Sequence, residues 1–246
     1  MTTGQRSSRP GRRAVLLSAC GLAAGAAAAS AGWAMSTSSA APPGPAVISP
    51  GEDLMREHGV LKRVLLCYRE MTARIQAGGP LDAADLHAAA LIIHDYIEGF
   101  HEGLEEGYVF PRLVRAGRLT ATVSTLLVQH ARGRMITQFL LRAATARQVA
   151  DPGARAQIAA AMQAFDRMYE PHEAREDTVV FPAFRQVVPA GELADLGWHF
   201  ADLEHQQFGT DEFTAMVARV ASIEHNLGIY DLAQFTPQVT QYTPPA

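Results

Sequence analysis

The chain is poor in three things. It has 2 cysteines in 246 residues, too few for a disulfide framework at this length. Charge is sparse and nearly balanced. Lys+Arg is 21 and Asp+Glu is 25, for a formal net charge of −4, which excludes a strongly basic nucleic-acid binder. Long uncharged apolar runs are also scarce. One lies at the start, so a multi-span membrane protein is excluded. Aromatic residues are only 7%. What remains is 48% hydrophobic, the make-up of an ordinary globular core rather than of a disordered chain. The length suits one domain with a leader and a tail.

The leader comes first. Residues 1–13 carry Arg6, Arg9, Arg12 and Arg13 and no acid, and no charge follows from Ala14 to Ala34. A basic start, an apolar stretch and a small-residue exit at Ala29-Ser30-Ala31 read as an export signal over residues 1–34. Arg12-Arg13 before an Ala/Gly-rich stretch resembles a twin-arginine leader, which implies export of a folded protein. An uncleaved anchor is the alternative reading. A lipoprotein box at Leu17-Ser18-Ala19-Cys20 is another, though few apolar residues precede Cys20. Membrane association is thus expected only through the leader. Residues 35–50 are Ser/Pro/Ala-rich and uncharged, a flexible tether.

From Glu52 onward the punctuation is helical, and no convincing alternating strand is present. Helices are expected at about 52–76, 82–115, 120–149 and 151–187, separated by Gly78-Gly79-Pro80, Gly117 and Asp151-Pro152. Asp151 reads as an N-cap with Pro at the first helical position. Long helices with short connections predict an all-α fold, an antiparallel up-down-up-down four-helix bundle over residues 51–188. Two shorter helices are expected in an extension and tail at 189–246, about Glu192 to Gln207 and Asp211 to Asn226, with an extended end from Thr236.

The second half repeats the first. The block His101-Glu102-Gly103-Leu104-Glu105-Glu106-Gly107-Tyr108-Val109-Phe110-Pro111 aligns without gaps on residues 172–182, His172-Glu173-Ala174-Arg175-Glu176-Asp177-Thr178-Val179-Val180-Phe181-Pro182. A lone His precedes each block, His58 by 43 residues and His130 by 42. The chain therefore contains two copies of an αα-hairpin. Each copy has a His on its first helix and HxxxE on its second.

Residues four apart share a helix face, so His101 projects with Glu105 and His172 with Glu176. Packed inward, the repeat assembles His58, His101, Glu105, His130, His172 and Glu176. Buried carboxylates are normally paired or bound to metal. Imidazole with carboxylate and open positions suits iron, manganese or zinc, and carboxylates can bridge two ions. A ferritin-like ExxH site competes, since Glu98 and His101 fit that spacing. Its second copy would need an acid at position 169, which is Tyr169.

The residues Glu57-His58, the block at 101–111, Gln129-His130 and the block at 172–182 are similar to the hemerythrin-like, HHE cation-binding family over residues 52–187. The resemblance implies an oxo-bridged di-iron centre. His58, His101, His130 and His172 would be terminal ligands, with Glu105 and Glu176 as bridges. It also implies a small-molecule partner such as oxygen, peroxide or nitric oxide. Oxygen-carrying members have a second His where this chain has Arg134, so oxygen carriage is doubtful on this pattern and the metal site is not. They place an Asp five residues after the fourth-helix His, where Asp177 stands beside Glu176. Asp177 is therefore a further candidate ligand, and so is Glu102, since carboxylate-rich relatives use an HExxE arrangement. The alternative function is a metal-binding or sensing module without turnover, signalling through the C-terminal extension.

His87, His94 and His101 recur every seven residues, with neighbours roughly 10 Å apart, too far to share one centre. Pro111, Pro171 and Pro182 each predict a loosened helix. For Pro171 the sharper expectation is that its kink re-aims His172. His199, His205 and His225 have no repeat partner and are assigned packing or surface roles.

Overall fold

The protein is described here by a computed structural model covering residues 48–209, 212–237 and 239. The leader, all but the end of the tether, and most of the tail after Thr236 lie outside the described residues. Every regular element among the described residues is helical. None of these helices is long and apolar enough to cross a membrane.

Helix α1 (Pro50–Gln76) opens with Ser49, whose hydroxyl accepts from the Glu52 N–H while the Glu52 side chain reaches back. This reciprocal cap satisfies two orphan donors, so the end of the tether already belongs to the helix start. The chain leaves α1 through Gly78, which takes the positive φ of 73° that glycine adopts without steric cost. Asp82 then caps a second rod, residues 83–115. The rod comprises α2 (Ala83–Leu91), a π-helical stretch π1 (Ile92–His101), α3 (Glu102–Leu104), π2 (Glu105–Val109) and α4 (Phe110–Arg115). The third rod is α5 (Thr120–Ala143). The fourth comprises α7 (Pro152–Arg175), π3 (Glu176–Val180) and α8 (Phe181–Val187).

One boundary differs from expectation. The third helix stops at Ala143 rather than near Val149. Thr145 turns its hydroxyl to the Gln148 N–H and starts the one-turn helix α6 (Ala146–Ala150). That local bond competes with continuing the longer helix. Asp151 and Pro152 then open α7 as expected. In the extension, α9 (Ala190–Phe208) and α10 (Glu212–Asn226) match the two expected short helices. A 3₁₀ turn at Leu232–Phe235 precedes the tail.

Pro111 and Pro182 each stand second in the α segment that follows a π turn. The Phe110 N–H bonds back to the Glu105 carbonyl, and the Phe181 N–H to that of Glu176. The missing proline N–H thus falls where the hydrogen-bond register switches. Such π turns cluster at functional positions, and here both begin at the HxxxE glutamate.

α1 packs on α7, α7 on α5, and α5 on α2 and π1, while π1 returns to α1. The core between the rods contains Tyr68, Met71, Tyr96, Phe165, Tyr169 and Phe184. Cys67 is buried and unpaired in it. At the α1–α7 seam, Lys62 pairs with Glu170 and Glu173, and Arg69 with Asp166 and Glu170. α10 packs on α1, α2 and π1, and α9 on α1. Arg63 of α1 donates to both carboxylate oxygens of Glu224 in α10.

Gly133 allows the closest approach in the core. A Cβ there would lie 2.1 Å from the Tyr169 hydroxyl. Overpacking of this kind typically costs about 1–3 kcal/mol, so Gly133→Ala should lower the urea-unfolding free energy by roughly that amount. An unchanged midpoint and slope would contradict the tight α5–α7 contact.

Candidate metal centre

Four rods contribute to one buried cluster. α1 supplies His58, the second rod His101 and Glu105, α5 His130, and the fourth rod His172 and Glu176. All six side chains are buried. The HxxxE spacing brings Glu105 Oε1 to 3.7 Å from His101 Nε2 and Glu176 Oε2 to 3.1 Å from His172 Nε2. Each glutamate also reaches the other half of the repeat. Glu105 Oε2 lies 3.5 Å from His130 Nε2, and Glu176 Oε2 lies 3.4 Å from His58 Nε2. The imidazoles form two pairs, His58 with His101 at 4.6 Å between ring centroids and His130 with His172 at 5.0 Å. Two groups of potential ligand atoms result: His58, His101 and Glu105, then His130, His172 and Glu176. Each group could hold a metal ion, and its atoms lie within 4.8 Å of one another.

The outer nitrogens fix which ring atoms face inward. His101 Nδ1 lies 2.7 Å from Glu57 Oε2, and His58 Nδ1 lies 2.7 Å from Asp177 Oδ1. His130 Nδ1 lies 2.9 Å from Glu106 Oε1, and His172 Nδ1 lies 2.9 Å from Gln129 Oε1. The Gln129 amide oxygen can only accept, as can Asp177 and Glu106 when ionised, so the Nδ1 atoms of His172, His58 and His130 carry the proton and donate it. A neutral ring held in this way turns its Nε2 lone pair to the centre, the arrangement typical of metal-binding histidines. His130 and His172 Nε2 face each other at 3.2 Å. Two lone pairs at that distance need a cation or a proton between them.

The two glutamates show the same deficit. None of the four carboxylate oxygens of Glu105 and Glu176 receives a hydrogen bond. An uncompensated buried ion costs on the order of several kcal/mol. Without metal, protons must supply the missing positive charge. Burial, and then the charges of Glu176 and Glu102, raise the Glu105 carboxyl well above its usual range. Burial also opposes ionisation of Glu176, but His172 and His58 beside it hold its carboxyl low. Burial works against a charged His58, yet Asp177 and Glu176 lift it to about 9. His101 is pushed well down by burial and by the neighbouring His58.

Glu102 and Asp177, the further candidate ligands, have other partners. The Tyr169 hydroxyl donates to Glu102 Oε1 at 2.7 Å, and Arg134 Nη2 lies 2.7 Å from Glu102 Oε2. Burial pushes the Glu102 carboxyl up to about 8 against those two contacts. Asp177 holds His58 from outside. Glu102, Glu106 and His130 form a third group that could hold an ion, but Arg134 also donates to Glu106 at 2.7 Å. His87 and His94 are exposed and away from the centre. In the extension, His199 meets the Tyr108 hydroxyl at 2.8 Å, and His225 stacks on Tyr230.

Sequence reasoning missed Glu57, Gln129 and Glu106 as the partners of the outer nitrogens. The signal was in the repeat. Glu57 and Gln129 each precede the lone His of their half, and Glu106 and Asp177 each follow the motif His by five. Lys62 and Arg134 are equivalent too, four residues after that lone His. Lys62 pairs with Glu173 at 2.7 Å as Arg134 pairs with Glu102, its counterpart.

Fold and cluster define an all-helical protein whose buried His/Glu groups could hold metal. Proteins of Mycobacterium bovis and of two Mycobacterium tuberculosis strains, CDC 1551 and H37Rv, each named only as uncharacterized, are 53% identical over 190 residues, covering 77% of this chain and 74% of each relative. The chain belongs to the family that these mycobacterial proteins form. No family model matches it, and no solved structure matches it.

The pH dependence follows from the protons that replace metal. Burial lifts Glu57 to about 8, with Glu102 and His58 raised as described. These groups keep protons in the folded chain that the unfolded chain has already lost, so stability falls as pH rises through their folded values. Metal-free protein should melt progressively lower from pH 7 to pH 9. Metal-loaded protein should be steadier or move the other way, because metal competes with those protons. Parallel melts with chelator and with metal check this; identical slopes would count against a shared site.

Proposed function

We propose that the chain is an exported, non-haem di-iron protein of hemerythrin-like type. Residues 51–188 form its antiparallel four-helix bundle, and it binds or reacts with a small molecule such as oxygen, peroxide or nitric oxide. The observation that supports this best is the pair of buried carboxylates without hydrogen bonds, each lying between imidazoles from both halves of the repeat. Those residues suit two ions bridged by Glu105 and Glu176, with His58 and His101 on one side and His130 and His172 on the other. Iron in such a site supplies redox chemistry toward oxygen-derived ligands, and imidazole with carboxylate also suits manganese or zinc.

The chain's own residues divide the work. Glu57, Asp177, Glu106 and Gln129 orient the four rings so that each Nε2 faces the centre. Arg134 neutralises Glu102 and Glu106, and Lys62 neutralises Glu173. Phe110 and Phe181 stack on His130 and His58 at 5.7 and 5.6 Å and exclude water from the cluster. Export rests on the basic, apolar leader, and any membrane attachment would run through that segment alone.

A second reading, a metal-dependent sensing module without turnover, draws on one contact. Tyr108 sits in the π turn that begins at Glu105 and hydrogen-bonds His199 of α9, which ties the centre mechanically to the extension. Peroxide consumption separates the two. Rapid decay favours a reactive centre, and oxygen-dependent spectra without decay favour the sensor.

Iron-replete expression should give close to two iron ions per chain and a visible band after exposure to oxygen. Glu105→Ala and Glu176→Ala should each lose that band. Less than one ion per chain, or a band that survives in both variants, would overturn the assignment. Metal present at a thousand times its dissociation constant stabilises a fold by about 4 kcal/mol per site. Chelation, which empties both sites, should therefore lower the melting temperature by roughly 20 °C.

A further inference from the structure

The two halves of the repeat are equivalent in sequence register but not in what covers them. Beside α5 and α7 runs a surface groove of about 290 Å³, lined by Thr122, Thr125, Gln129, Pro171, His172 and Arg175, with Leu126 below. It ends on His172, a member of the buried cluster. The matching face of the first half is closed. Phe100 and Leu104 occupy the positions of Pro171 and Arg175, and both are buried. Phe208, at the end of α9, lies edge-on to Phe100 at 5.4 Å. Phe213 of α10 receives the Arg56 guanidinium at 4.2 Å over its ring. The extension therefore covers the face beside His101 and leaves the face beside His172 open.

The open side carries a free positive charge. Arg175 is exposed and makes no ion pair among the described residues. The groove's other polar walls are hydroxyls and an amide. Thr125 turns its hydroxyl to the Ala121 carbonyl of its own helix, and Gln129 accepts from His172. Neither offers the groove a negative charge. An exposed cation at the mouth of a passage toward an acidic centre raises the local concentration of anions there.

We propose that the centre is reached from one side only, through the groove between α5 and α7, and that Arg175 makes this route selective for small inorganic anions. Such an anion meets the group His130, His172 and Glu176, while α9 and α10 shield the group His58, His101 and Glu105. The anion's destination rests on the metal-centre reading; the one-sided route does not.

The route is tested first in metal-free full-length protein. Diethyl pyrocarbonate, with acylated histidines located by mass spectrometry, should modify His172 before His101, and Thr125→Phe should protect His172. Leu127→Phe, on an exposed neighbouring position outside the groove, should change nothing. Modification of His101 as fast as His172 overturns the one-sided route. The selectivity is tested in iron-loaded protein with azide as the anion and nitric oxide as the neutral ligand. Arg175→Ala should slow azide association about five-fold at low salt, leave nitric oxide unchanged, and be restored by Arg175→Lys. Thr125→Phe should slow both ligands. Unchanged azide association in Arg175→Ala overturns the selectivity. A chain that takes up no iron, yet is acylated at His172 first, overturns the metal centre and the anion's destination and supports the route.

Discussion

Two carboxylates in a dry interior set the terms for the rest of the molecule. Glu105 and Glu176 are fully buried and receive no hydrogen bonds. Leaving both ionised and unpaired costs several kcal/mol on any reasonable accounting. Natural cores do not keep such a pair without a counter-charge, so the surroundings are best understood as a device for presenting one. The π turns begin at these two residues. The four rings around them are held by their outer nitrogens, and every inner nitrogen converges on the same space. In the metal-free protein, protons on Glu105 and His58 take the place of the missing cations. That is a working solution for the fold and a poised one for metal, since metal and protons compete for the same lone pairs.

The duplication explains why this arrangement is so regular. Each half supplies a lone His, a partner just before it for a ring in its own second helix, and an HxxxE motif followed by an acid that holds the lone His of the other half. Glu57 and Gln129 play the first outer role, Asp177 and Glu106 the second. The halves thus cross-brace one another, each relying on the other to hold its lone His. Among these outer residues only one charge differs between the halves. Glu57 became or remained an acid where Gln129 is neutral, and Lys62 stands where Arg134 does. Arg134 reaches two carboxylates, Glu102 and Glu106, with one nitrogen 2.7 Å from each.

Much of this was legible before any coordinates. Helix spans followed from caps and breakers, because Ser49, Asp82 and Asp151 act locally and their chemistry is visible in a short window. The six central residues followed from the repeat, because duplicated spacing on helices fixes a shared face. What escaped depended on tertiary geometry. For the further candidates Asp177 and Glu102, the neighbours came only with the structure: Asp177 crosses to His58, 119 residues away, and Glu102 meets Arg134 and Tyr169 while standing with Glu106 and His130 in a third potential group. The early end of α5 also escaped, because a Thr145 cap bond competes with helix propagation by a small margin. The π turns have no composition signal, although Pro111 and Pro182 mark where each one ends.

The charge balance of the outer residues then bears on what the centre can accept. Around the cluster lie Glu57, Glu102, Glu106, Glu173 and Asp177, set against Lys62 and Arg134. Burial keeps some of these carboxyls protonated without metal, Glu57 and Glu102 most clearly. Even so, acids outnumber bases, and the two central glutamates, Glu105 and Glu176, deepen the deficit. Such a site attracts multiply charged cations strongly and repels anions until the cations are bound. A neutral ligand needs only a path to it, whereas an anion also needs a local field opposing that of the acids. Arg175 is placed to supply that field at the unsealed groove, while Phe208 and Phe213 close the matching face with apolar bulk. The extension that breaks the symmetry of the repeat thus also decides from which side the centre can be approached.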